Sequence, residues 1–293
     1  MILIFCGITT CELAAATADE IAQRRRVARI EAVEVPFEQL SHKDISVHGR
    51  AALKIDEKKW RHAESDHFII HYQLWDVKNR LIREAEFYYW KVQSDLKLTM
   101  DLVDHKSHLF IFQDDDRWRS FQAGTGLHGL AGVTIQNEFF SYYPKKKDEE
   151  FSGTVAHEMT HLIFNRFFRG RPPLWLNEGF AEYQAHKAYQ SLFGKRYGGT
   201  NKDTSMIGKL NFLEMTAWTD YNRNADLNQA FYAKSHVAVE LLADKGGPEK
   251  LVGFINTMIQ NPDFKSAFDK HYASDFKDMD KFLKELARRE KRL

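Results

Sequence analysis

The chain has 293 residues, 43% hydrophobic and 28% charged, which is enough for one large domain or two small ones around a real core. Its 42 Lys and Arg stand against 41 Asp and Glu, a net charge of +1, so no charge excess singles out nucleic acid or an anionic lipid surface as partner. No apolar run has the length of a bilayer span, which argues against an integral membrane span.

Residues 1–18 open with the apolar stretch 2–5 and carry Ala14, Ala15, Ala16 and Ala18 just before Asp19. This resembles a secretory signal, although Met1 is followed at once by Ile2 rather than by basic residues. A true signal predicts a secreted or periplasmic protein, and its absence a cytoplasmic one. Cys6 and Cys11 both fall in this segment, so its removal leaves no thiol for a disulfide or a thiolate metal ligand. Residues 19–60 form a charged N-terminal segment in which Arg24, Arg25 and Arg26 read as a solvated helix face.

From Ser65 the pattern changes. Residues 67–72 are rich in β-formers and predict a strand. Residues 78–98 place Leu81, Ala85, Tyr88, Val92 and Leu96 at helical spacing, and 108–112 read as a second strand. Asp114, Asp115 and Asp116 lack the alternation and glycine of a calcium loop and predict a helix N-cap instead. The glycine-rich residues 124–132 are not followed by Gly-Lys-Ser/Thr, so they read as a loop leading into an edge strand over 130–137.

The next helix carries the chemistry. Phe151, Val155, Met159, Leu162 and Ile163 form one apolar face, and Asp148, Glu149 and Glu150 put negative charge at the helix start. Gly170, Pro172 and Pro173 end it. His157 and His161, four residues apart, project to the same side, where two imidazole nitrogens can reach one metal ion. Glu158 stands beside them as a general base that need not ligate. Residues 174–193 read as a second helix ending at Gly194, with Glu178 and Glu182 on one face. A catalytic zinc takes three protein ligands and keeps a position for water, which makes Glu178 the candidate third ligand. Glu182, one turn on, can accept a hydrogen bond from the far nitrogen of a ligand histidine.

His157-Glu158-Met159-Thr160-His161 followed by Trp175-Leu176-Asn177-Glu178-Gly179-Phe180-Ala181-Glu182 resembles the gluzincin metallopeptidases, the peptidase MA-like group that includes thermolysin and the alanyl-type aminopeptidases. The resemblance covers roughly 40 residues. It implies one Zn²⁺ per chain, a peptide or protein substrate, and an edge strand that aligns the substrate backbone by strand addition, here Gly132, Val133 and Thr134. It also implies an oxyanion donor from a later helix. Residues 229–242 supply such a helix, with Tyr232 as first candidate and His236 as second. The aminopeptidase signature Gly-x-Met-Glu-Asn is replaced by Gly132-Val133-Thr134-Ile135-Gln136-Asn137, which favours an endopeptidase. Residues 210–218 read as short helical or irregular, and residues 249–293 as helical with a solvated, charged end.

The expected architecture is α+β and zincin-like. A catalytic unit over 61–293 would have its sheet part in 61–147 and its zinc-helix and helical part in 148–293. The rival expectation is a catalytically silent zinc-binding protein of the same fold, acting as a binding or assembly module. Intact Glu158 argues against it, since binding alone needs no base there.

Overall fold

The computed structural model describes residues 16–144, 148–195, 204–221 and 224–291, without the side chains of 148–150, 204 and 205. The signal-like residues 1–15, both cysteines, and most of the loop after Gly194 lie outside the described residues, as do the side chains of the acidic trio at 148–150. The expected cleavage point before Asp19 falls within helix α1 (Ala18–Ala28), where Thr17 and Glu20 form a reciprocal capping box.

Strands β3 (Phe68–Tyr72) and β4 (Ser107–Phe112) are buried along their whole length and pair in parallel, with helix α3 (Val77–Leu96) crossing between them. That explains their near-continuous apolar runs: a central parallel pair is covered on both faces. Phe68, Ile70, Tyr72, Leu109 and Ile111 face the main core, while Phe110 and Phe112 face a smaller one. Outside this pair, β2 (Arg61–Glu64) and the short β1 (Val33–Glu34) extend one side antiparallel. On the other side β6 (Glu138–Tyr142) pairs parallel with β4, and β5 (Gly132–Ile135) pairs antiparallel with β6. The six-stranded order is therefore β1-β2-β3-β4-β6-β5, which leaves β5 at an edge.

Helices α2 (Val47–Lys54) and α4 (Asp115–Thr125) flank the smaller core, in which Ala52, Trp118 and Phe121 are buried. Asp114 caps α4 by accepting from the Arg117 amide, as the aspartate trio predicts. The main core lies under α3, α5 (Asp148–Phe167), α6 (Leu174–Phe193) and α8 (Ala225–Gln260), which breaks at Gly247 before Pro248. The protein is thus mixed α+β, with its sheet in the N-terminal half and helices in the C-terminal half. The charged segment 19–60 shares this core through Val27 and Ala32; Arg25 and Arg26 are exposed as expected, whereas Arg24 is half-buried.

The remaining helices are α7 (Phe212–Met215), α9 (Phe264–His271), α10 (Ala273–Phe276) and α11 (Met279–Glu290). The final helix is not wholly solvated: Phe282 and Leu286 are buried, Lys234 pairs with Glu290 at 3.0 Å, and Arg289 reaches Asp244 at 2.7 Å.

One packing contact positions the rest. A Cβ on Gly179 of α6 would stand 2.4 Å from the Ser235 carbonyl oxygen of α8, so only glycine lets these helices meet. Backbone cannot yield as a side-chain tip can. We expect Gly179→Ala to cost about 2–3 kcal/mol by overpacking, read in thermal denaturation as a Tm fall of roughly 5–10 °C. An unchanged Tm would mean the two helices separate freely.

Candidate metal centre

Helix α5 presents His157 and His161 one turn apart, and α6 brings Glu178 against them. His157 Nε2 lies 3.1 Å from His161 Nε2 and 3.3 Å from Glu178 Oε2, and His161 Nε2 lies 3.5 Å from the same oxygen. Ligands about 2.0–2.1 Å from a tetrahedral ion stand about 3.4 Å from one another. The three separations match the edges of such a tetrahedron, so these residues could hold a metal ion.

The surroundings fix this triangle. Glu178 Oε1 accepts hydrogen bonds from Asn177 Nδ2 at 3.1 Å and from the Tyr221 hydroxyl at 3.0 Å. One carboxylate oxygen is thereby held by donors and the other is turned to the histidines. His157 Nδ1 faces Glu182 Oε1 at 3.1 Å, which orients the ring and leaves Nε2 to point at the ligand triangle. Glu182 therefore sits where its spacing along α6 predicts.

Without an ion, the cluster is an ion-pair network. Burial disfavours a charged His157 ring, but the Glu178 and Glu182 carboxylates outweigh it and hold its pKa up to about 10. Burial likewise opposes a charged Glu178, and the two histidines overcome it and hold its carboxyl well below the usual range. A raised histidine pKa gives the metal-free fold stability that is complete below the ordinary imidazole value of 6.5 and is lost as pH rises towards 10. An entering ion must displace that proton. Apparent metal affinity should therefore rise about tenfold per pH unit between pH 7 and 9, with close to one proton released per ion. Calorimetry in buffers of different ionisation enthalpy reads this directly. Heats independent of the buffer would contradict it.

A cleft of about 680 Å³ opens on the triangle, lined by Gly132, Val133 and Thr134 of β5, by His157, Glu158 and His161, and by Tyr221 and Tyr232 among others. Strand β5 is bolted to α5: Thr134 Oγ1 donates to the Glu158 carbonyl at 2.9 Å, and Asn165 Nδ2 donates to the Gln136 carbonyl at 2.8 Å. Gly132 permits this approach, since a Cβ there would stand 2.8 Å from Thr154 Cγ2 and 3.3 Å from Glu158 Cγ. The residues expected to align substrate do line the cleft, and Gly132 and Thr134 also hold the strand against the helix.

Tyr232 lines the cleft with its ring centroid 6.2 Å from that of His157. Its hydroxyl bonds to that of Tyr221, and the two rings stack at 6.0 Å. Burial and the nearby Glu178 carboxylate push both phenols well above their ordinary pKa, so both stay protonated donors. His236 is elsewhere: its ring packs 4.5 Å from that of His186, and it does not line the cleft. Tyr221 has no counterpart among the sequence expectations. It lies in a loop without periodicity, and only the fold brings it to Glu178.

No known protein family and no curated protein matches this sequence.

Proposed function

We propose that the chain is a zinc-dependent peptidase that cleaves within peptide chains. The observation that carries this reading is the His157–His161–Glu178 triangle, with Glu158 beside it, at the floor of a cleft edged by β5. Zinc bound by these three residues would acidify a water molecule and polarise the scissile carbonyl.

The chain's own groups supply the rest. The edge of β5 that pairs with no strand among the described residues has backbone donors and acceptors to pair with an extended peptide, laying its scissile bond across the triangle. Glu158 takes the proton of the attacking water and passes it to the leaving amine. Tyr232, kept as a phenol, donates to the oxygen on which negative charge develops. Glu182 faces Nδ1 of His157, so Nε2 is the nitrogen left for the ion once its proton is displaced.

Cleavage within chains is favoured over removal of N-terminal residues by the charge lining the cleft. Its acidic residues among those described are Glu158 and Glu178, both already committed, which leaves no carboxylate to capture a free α-amine. Arg171 is on the same rim.

Digestion of an unfolded protein substrate, analysed by mass spectrometry, tests the reading. Internal cleavages should appear, cease with a strong chelator, and return with added zinc. Tyr232→Phe should lower kcat by about 10²–10³ with KM little changed. Cleavage indifferent to chelator would contradict the metal, and no cleavage by folded, zinc-loaded protein would contradict the peptidase.

A further inference from the structure

The polar stripe on α6 does not end at the first triangle. Glu178, Glu182 and His186 follow at successive turns on one face of the helix, so the stripe continues past the cleft. Next to Ser235, whose backbone meets Gly179, α8 supplies His236, and the close helix crossing sets its ring 4.5 Å from that of His186 at an interplanar angle of 61°. Glu182 Oε2 stands 3.5 Å from His186 Nε2, again the edge of a tetrahedral ligand set. One ligand atom each from Glu182, His186 and His236 lie within 4.8 Å of one another. Glu182 is buried and the two histidines are half-buried, so the group is shielded but reachable.

We propose that Glu182, His186 and His236 form a second metal site, for a divalent ion of the zinc class. Two imidazoles and one carboxylate are borderline ligands, which select zinc and its transition-metal neighbours over magnesium or calcium, whose sites are built from oxygen. The two sites share one side chain: Glu182 turns Oε1 to His157 and Oε2 to His186. An imidazole ring and a carboxylate separate the two ions, so they cannot share a bridging oxygen. Instead, occupancy of the second site immobilises the carboxylate that orients His157, and so tightens the first. The inference shares Glu182 with the proposed catalytic site, but it needs no peptidase activity.

The test is zinc stoichiometry of the full chain, stripped with a strong chelator and titrated with Zn²⁺ against a chromophoric competitor. Wild type should bind two equivalents. His236→Gln should bind one, as should His186→Gln, whose half-buried side chain on the other helix provides a second, independent variant if the first fails to fold. His161→Ala should also bind one, and His161→Ala with His186→Gln none. In His186→Gln the remaining ion should bind about 10–100-fold more weakly, the usual effect of disturbing an outer-sphere partner. A single wild-type equivalent that survives both His186→Gln and His236→Gln overturns the proposal, as does a wild type that binds none. A single equivalent lost in those two variants yet kept in His161→Ala would uphold the second site and remove the first.

Discussion

Glu158→Gln is expected to bind zinc at wild-type stoichiometry and to lose about 10²–10⁴ in kcat, the usual contribution of a positioned general base. The exchange is isosteric, so the α5 helix and the contact of Gly132 with Glu158 Cγ are preserved. Glu158 is not part of the ligand triangle, and Thr134 bonds its backbone carbonyl rather than its side chain, so neither the metal nor β5 loses a partner. What disappears is the only carboxylate described in the cleft that is not turned to the histidines as a ligand. Metal content and single-turnover cleavage, measured on the same preparation, separate the two effects. Wild-type cleavage would remove Glu158 from the base role, and loss of metal would make it a ligand.

Glu178→Ala should have the opposite signature, with metal affinity falling by well over 100-fold, since even losing an outer-sphere partner costs 10–100-fold. The carboxylate supplies one corner of the triangle and the negative charge that offsets a divalent ion beside two neutral imidazoles. Its removal also strands Asn177 Nδ2 and the Tyr221 hydroxyl, both of which donate to Oε1. Glu178→Gln refines the measurement, because an amide keeps an acceptor for those donors and yet presents a weaker, uncharged ligand. Affinity in the glutamine variant should fall between wild type and alanine. Equal affinity in all three proteins would mean that another residue completes the set.

How much of this was legible beforehand follows the range of the interactions. Within α5 and α6, spacing alone brings His157 to His161 and Glu178 to Glu182, because four residues make one turn of a helix. The bounds of α6 were readable for the same reason, from two prolines before it and Gly194 after it, where φ is 68°. Helix α3 and strands β3 and β4 announced themselves by periodicity and by β-branched and aromatic runs. Strands β1 and β2 had no such signal, and in β6 the aromatics Phe139, Phe140 and Tyr142 are interrupted by Ser141. Glu138 opens β6 with a carboxylate that looks misplaced in a strand until Ser46 is seen to donate to it, from backbone and hydroxyl alike. β5 takes the edge expected of residues 130–137, but the parallel pairing of β6 with β4 that sets it there joins strands far apart in sequence, which no local pattern encodes.

The site divides in the same way. Its ligands are local to two helices and could be named from the chain. Tyr221 and the partnership of His186 with His236 depend on where α8 and the loop before it come to rest. That in turn depends on Gly179 meeting the Ser235 backbone, a contact between residues 56 positions apart in sequence. A lone tyrosine in an aperiodic loop, or a histidine on an apolar helix, carries no sign of such a role.

The central claim is that one ion joins α5 to α6 at His157, His161 and Glu178. Anomalous diffraction from zinc-soaked crystals, collected on both sides of the zinc absorption edge, tests it most directly. The account predicts an anomalous peak about 2.0–2.2 Å from His157 Nε2, His161 Nε2 and Glu178 Oε2, with Glu158 beside it but outside ligand distance. A map with no peak between the two helices, from crystals in which the three side chains keep their present positions, would contradict it.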